Sequence, residues 1–136
     1  AIECQPSLHD AWNNRGLALA NLGQYQEAIA SYDRALEIRP DDFIAYCNRG
    51  NTLKKLGRYA DAIASYNKTL EIQPDDHFAW YGRACCYGLQ GNTELAIETL
   101  EQAINLNSDK YRELARKNAD FDSIRSDRRF QALIQG

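Results

Sequence analysis

The chain repeats itself at a fixed step. Residues 11–42 read AWNNRGLALANLGQYQEAIASYDRALEIRPDD and return at 45–76 as AYCNRGNTLKKLGRYADAIASYNKTLEIQPDD. A looser copy, AWYGRACCYGLQGNTELAIETLEQAINLNSD, fills 79–109. Trp12, Tyr46 and Trp80 are 34 apart (46 − 12 and 80 − 46), as are Gly23, Gly57 and Gly91, and Ala28, Ala62 and Ala96. Self-similarity at this period is the mark of stacked supersecondary units. A single unit cannot bury its apolar stripe alone, so neighbours in the stack must supply the stability.

Each copy carries two helical patterns. In the first copy, helix A is expected from about His9 to Leu22 and helix B from about Gln24 to Arg39. Trp12, Gly16 and Leu19 fall at i, i+4 and i+7 and form one stripe. Ala28, Tyr32, Ala35 and Leu36 form the facing stripe, where small residues permit close approach and aromatics fill the space. Gly23 stands where helix A must end and the chain must turn, which suits a residue tolerant of positive φ. Pro40 closes helix B, and Asp41 and Asp42 then stand ready to cap the next helix. Gly57, Pro74, Asp75 and Asp76 repeat these roles, with Ser108 and Asp109 in the third copy.

These spaced positions together resemble the tetratricopeptide repeat. The matching residues are Trp12, Gly16, Gly23, Tyr25, Ala28, Tyr32, Ala35 and Pro40, then Tyr46, Gly50, Gly57, Tyr59, Ala62, Tyr66 and Pro74. Thr69 stands where the family usually has Ala. The third copy keeps Trp80, Ala84, Gly91, Ala96 and Ala103 and departs at Thr93, Leu100 and Ser108. The resemblance implies an all-α fold, a right-handed α-solenoid of antiparallel helix pairs. Three repeats are expected, at 9–42, 43–76 and 77–110. Residues 1–8 align with 35–42 and read as the end of an earlier repeat, which makes the chain a piece of a longer protein. Residues 111–136 are expected to form a C-terminal helical cap, with one helix from Tyr111 to Asn118 and a last one ending near Ile134. Asp122 or Ser126 is the expected cap of that last helix. Phe121, Ile124, Phe130, Leu133 and Ile134 supply its apolar side, with Arg125, Arg128 and Arg129 facing water.

Composition narrows the chemistry. The net charge of −3 argues against a nucleic-acid binder, which usually shows a basic face. No apolar run approaches the roughly 18 residues that cross a bilayer. Cys4, Cys47, Cys85 and Cys86 lack CxxC or zinc spacing and read as reduced thiols of a cytoplasmic protein. His9 and His77 have no carboxylate or cysteine at productive sequence spacing and read as surface residues near helix starts. Arg15, Arg49 and Arg83 recur in register and read as packed stems with their guanidinium groups paired to acids. No catalytic, cofactor or metal constellation emerges, so the expected protein is not an enzyme and needs no cofactor or metal.

The surface remains. In the family that the chain resembles, helices A line a concave groove that binds a peptide. Asn14 and Asn48 hold one register position and resemble the asparagine ladder of such grooves; Gly82 breaks it. An asparagine offers a donor and an acceptor, so it pairs with ligand backbone of any sequence. The candidate groove residues are Asn13, Asn14, Asn48, Asn51, Lys54, Lys55, Phe78, Tyr81, Cys85 and Leu89. Lys54 and Lys55 favour ligands with negative charge. Phe78, Tyr81, Cys85 and Leu89 make an apolar patch, which the C-terminal cap is the other candidate to cover. The carboxylate clamp of chaperone-binding relatives requires Lys or Arg where this chain has Phe78 and Gly82; only Asn48 fits it. The expected function is a protein-interaction adaptor that holds a segment of another protein. The alternatives are a self-associating scaffold, as a homo-oligomer, and the non-catalytic recruiting tail of a larger enzyme.

Overall fold

The computed structural model describes residues 8–135. The reading of 1–8 as an earlier repeat's end falls almost wholly outside them. Among the described residues the chain is all helix: α1 (Leu8–Asn21), α2 (Tyr25–Ile38), α3 (Phe43–Lys55), α4 (Tyr59–Ile72), α5 (His77–Leu89), α6 (Thr93–Leu106), α7 (Ser108–Lys117) and α8 (Arg128–Gln135). A 3-10 turn, Ala119–Ile124, separates the last two. The helices fall into two compact units, Ala1–Pro74 and Asp75–Gly136.

In the first unit, α1 pairs with α2 and α3 with α4, and α2 also packs on α3. Each hairpin turns on a glycine in the left-handed region, Gly23 at φ 81° and Gly57 at φ 78°. The chain there closes both bonds of a Schellman end: Gln24 N–H donates to Leu19 O at 2.8 Å and Gly23 N–H to Ala20 O at 3.0 Å. Arg58 and Gly57 repeat those bonds onto Leu53 and Lys54 at 2.9 and 3.0 Å. The interior follows the expected stripes, with Ala28, Tyr32, Ala35, Ala62 and Tyr66 fully buried. Close approach explains the helix-A glycines. A Cβ on Gly16 would lie 2.5 Å from the Tyr32 ring, and one on Gly50 2.8 Å from the Tyr66 ring. Trp12, Leu19 and Leu36 are only half-buried.

The second unit starts as a third hairpin, α5 against α6, turning on Gly91 at φ 74°. It then departs from the pattern. Helix α7 packs on α6, the 3-10 turn packs on α5, and α8 contacts both α6 and α7. One core joins them: Leu100, Ile104, Tyr111, Phe121, Ile124 and Phe130 are each at most 2% exposed. The apolar spacing of the tail therefore fills this core, as the sequence leads one to expect.

Several details differ from the sequence reading. The 3-10 turn was not expected, and α8 begins at Arg128, not after Asp122 or Ser126. Asp127 caps it, its Oδ1 accepting from Arg129 N–H at 2.8 Å. Arg125 is only partly exposed. It donates to three carbonyls where α7 ends, Ala115 O at 3.3 Å, Arg116 O at 2.9 Å and Asn118 O at 2.6 Å. The last carbonyls of a helix lack intrahelical donors, and the guanidinium supplies several in a fixed fork; Asn118 O also accepts from Phe121 N–H at 3.2 Å. Helix α7 starts at Ser108 itself, so neither Ser108 nor Asp109 serves as its N-cap.

Candidate functional site

The start of α3 sets the geometry of the first unit. Asp42 is its N-cap: Oδ1 accepts from Ala45 N–H at 3.1 Å. Its other oxygen reaches back to α1, accepting from Asn13 Nδ2 at 2.7 Å and from His9 Nδ1 at 2.9 Å. His9 Nε2 then lies 3.4 Å from Arg39 Nη1, a donor, so Nδ1 carries the ring's proton toward the carboxylate. This corrects two readings. His9, 9% exposed, is a buried partner of a carboxylate that sequence spacing did not reveal. Asn13, 5% exposed, does not line an open groove, because its amide ties α1 to α3.

Around that joint the first helices show a mixed polar and apolar face. Asn14, Leu17, Asn51 and Lys55 are exposed, and Ile44 is 52% exposed. Asn48 and Lys54 are half-buried. Neither the Asn14 nor the Asn48 amide makes a hydrogen bond to another described side chain or backbone group. Asn51 is partly used: its Oδ1 accepts from the Tyr66 hydroxyl at 2.5 Å, which leaves the Nδ2 donors. Asn48 and Asn51 are three residues apart on α3, and Asn14 and Leu17 likewise on α1, so each pair shares a helix face.

In the second unit the corresponding face of α5 is largely covered. Cys85, at most 1% exposed, is not available to a ligand, which corrects its place among the groove residues. Asn118 lies over it, its Nδ2 donating to the Tyr81 hydroxyl at 2.9 Å and approaching Cys85 Sγ at 3.5 Å. Tyr81 stacks on Tyr111 at 4.8 Å and meets the edge of Phe121 at 5.9 Å. Burial is the main reason the Tyr81 hydroxyl is pushed well above its ordinary pKa, with the Cys85 thiol adding to it and the Asn118 bond opposing it. Phe78 stays 55% exposed, its ring beside His77 and under the Lys110 ammonium at 4.4 Å. Leu89 is half-buried. His77 is likewise no free surface residue: its Nδ1 sits 2.5 Å from the Tyr111 hydroxyl.

The arginines in register have structural roles. Arg15 Nη1 donates to Ser31 Oγ at 2.7 Å, and Arg49 Nη1 to Ser65 Oγ at 2.9 Å. Arg49 Nε also pairs with Asp33 at 2.9 Å, and Arg83 stacks over Trp80 at 5.1 Å. For Arg49 the acidic partner that the sequence reading expects is Asp33. Among the described residues no three His, Cys, Asp or Glu side chains gather into a metal site. Their cysteines Cys47, Cys85 and Cys86 are in no disulfide with one another. No helix among them is long and apolar enough to cross a membrane.

Helix hairpins set 34 residues apart, with polar groups left open on their first helices, define a helical-repeat interaction module. Comparison with known proteins gives the family. A TPR repeat model matches residues 16–57, a tetratricopeptide repeat model matches 43–76 and 77–110, and a further one matches 1–30. The chain belongs to the tetratricopeptide repeat family, whose members are generally non-catalytic interaction modules.

Solved structures agree on an all-α solenoid. A MamA fragment from Desulfovibrio magneticus RS-1 is 28% identical, with a TM-score of 0.73 over 93% of this chain and 74% of that one. YrrB, described as a TPR protein with an unusual peptide-binding site, is 27% identical, with a TM-score of 0.73 over 81% of this chain and 57% of that one. The TPR2B domain of yeast Sti1, solved with an Hsp70 peptide, has a TM-score of 0.77 at 23% identity, over 88% of this chain and 98% of that one, and shares the fold. No curated protein sequence matches the chain.

Proposed function

We propose that the chain is an adaptor that holds a segment of another protein against α1 and α3 of the first unit. The observation that carries this reading is the pair Asn14 and Asn48, in one register with their amides bonded to no other described residue. Each offers a donor and an acceptor, which suits the backbone of an extended ligand. Asn51 adds donors, and Leu17 and Ile44 add exposed apolar surface next to them in sequence register. Lys55 is exposed and in no ion pair with another described residue, so a ligand with a carboxylate gains a charge-assisted contact. The peptide-binding site named for YrrB, a relative at 27% identity, supports the same class of partner.

The positions that chaperone-tail clamps fill with cations hold Phe78 and Gly82 here, so the ligand is of another sequence class. Tyr81 and Cys85 are left out of the ligand surface, and Phe78 and Leu89 belong to the second unit. The adaptor works in a reducing, cytoplasmic setting, which its free thiols favour.

A random-peptide display selection tests this. Selected peptides should be enriched in acidic residues beside an apolar one. They should bind an Asn14→Ala, Asn48→Ala, Lys55→Ala variant at least about tenfold more weakly, as expected when hydrogen-bonded contacts of ~1 kcal/mol each are lost. Peptides that bind both proteins equally would move the site elsewhere.

A further inference from the structure

Helix α5 differs from α3 at the register positions the ligand face uses. Where α3 has Asn48, Asn51 and Lys54, α5 has Gly82, Cys85 and Gly88, each 34 residues on (82 − 48, 85 − 51 and 88 − 54). All three replacements are buried. Asn118 to Ile124 cover two of them, Cys85 and Gly88. Asn118 Nδ2 donates to the Tyr81 hydroxyl and approaches the Cys85 sulfur. Ser123 Oγ donates to Gly88 O at 2.8 Å. The Asp120 carbonyl comes so near Gly88 that a Cβ there would lie 2.8 Å from it, and the Phe121 ring would be 3.0 Å away. Any residue but glycine would therefore push the turn off the helix. Phe121 itself is fully buried.

We infer that Asn118–Ile124 is a ligand held in cis: it occupies on α5 the face whose counterpart on α3 is assigned to a partner, and closes that face to peptides. The recognition chemistry is an asparagine, a phenylalanine three residues on and a hydroxyl five residues on, presented by a tight turn. Side-chain amide to phenol, ring to ring edge, and hydroxyl to a helix carbonyl are contacts that a peptide in trans makes equally well. Among the described residues one short helix, α8, follows the turn, and the pairing of α5 with α6 does not run through it, so withdrawing the turn opens the face without unpairing α5 from α6. The assignment of α3 as a ligand face gives this device its purpose, whereas the docking of the turn stands on the contacts alone.

The buried thiols give a direct reading. Cys85 lies beneath the turn, and Cys47 is 8% exposed in the other unit. In the 136-residue chain, timed iodoacetamide labelling read by peptide mass spectrometry should find Cys85 slow in the wild type. Phe121→Ala should speed its labelling by about tenfold or more while Cys47 is unchanged, because local opening is faster than global unfolding. A synthetic peptide of residues 118–136 should slow the Cys85 reaction again, and a scrambled peptide should not. Gly88→Ala, which disturbs the turn through the Asp120 carbonyl without removing core, should give the same pattern.

Unchanged Cys85 labelling in both variants overturns the inference. So does a joint rise at Cys47 and Cys85 in both, which would make the turn an inseparable part of one cooperative fold. Failure of the peptide to restore protection overturns it as well. No partner protein enters this experiment, so its outcome is independent of the peptide selection described above.

Discussion

Asp42 and Asp76 stand in the same local sequence, the last residue of a Pro-Asp-Asp run before a first helix, yet removing them should differ in effect. Both cap: Asp42 Oδ1 takes Ala45 N–H and Asp76 Oδ1 takes Ala79 N–H, at 3.1 and 3.2 Å. Losing such a cap costs about 1 kcal/mol. Asp42 alone also receives Asn13 Nδ2 and His9 Nδ1, and all three residues are at most 9% exposed. Asp42→Ala leaves two buried donors without acceptors, at about 1 kcal/mol or more each. The totals are then about 3 kcal/mol for Asp42→Ala and about 1 kcal/mol for Asp76→Ala. With a denaturant slope of about 1.5 kcal/mol/M, the urea midpoints should fall by about 2 M and about 0.7 M.

Trp12 lies in the first unit and Trp80 in the second, so tryptophan fluorescence follows both. Asparagine sharpens the comparison. Asp76→Asn should be near neutral, because Asn is as good a cap as Asp. Asp42→Asn should still cost about 2 kcal/mol, since one oxygen cannot serve the backbone and two donors on the far side together. Equal midpoint shifts for the two alanine variants would refute the inter-helix role of Asp42.

Other consequences follow from single sites. Gly57→Ala should lower stability by about 1–2 kcal/mol in urea unfolding, because its φ of 78° strains any residue with a Cβ although no atom lies within 4 Å of one. Gly57→Asn should cost less, since Asn tolerates that region. Arg125→Ala removes three bonds to carbonyls at the end of α7 and should cost about 1–3 kcal/mol, seen as an earlier Trp80 transition. Tyr81 should resist ionisation above the ordinary value of 10.0, burial being the first cause, in an absorbance titration near the tyrosinate band. Its folded pKa is raised, so the stability it contributes is whole below pH 10 and lost as pH climbs toward the folded value. A tyrosine count complete by pH 11 with the helices intact would contradict the buried placement.

Much of the architecture was legible because it is local. A period of 34, glycines at the turns and small residues opposite aromatics leave few other solutions, since helix spacing and φ preference act within a few residues. The all-α helix pairs, the Asp42 and Asp76 caps and the apolar side of the tail all follow from such short-range rules. What the rules missed is long-range. His9 and Asp42 are 33 residues apart, and no spacing along the chain announces that the start of one hairpin reaches the start of the next. The same holds for Asn13, which joins that pair instead of facing a ligand, and for Arg125, drawn onto carbonyls that exist only once α7 has ended.

The sequence by itself determined that this protein is a stack of helix hairpins with polar first helices, because its repeated residues act through neighbours three, four and seven positions away. Only the tertiary structure decided which first-helix faces stay open. Among the described residues nothing bonds the Asn14 and Asn48 amides, whereas Tyr81 and Cys85 lie beneath a turn more than 30 residues on, held there by an amide, a ring and a glycine without a Cβ. Burial of Phe121, Ile124 and Phe130 drives that closure, and such burial depends on surfaces that meet only after the chain has folded.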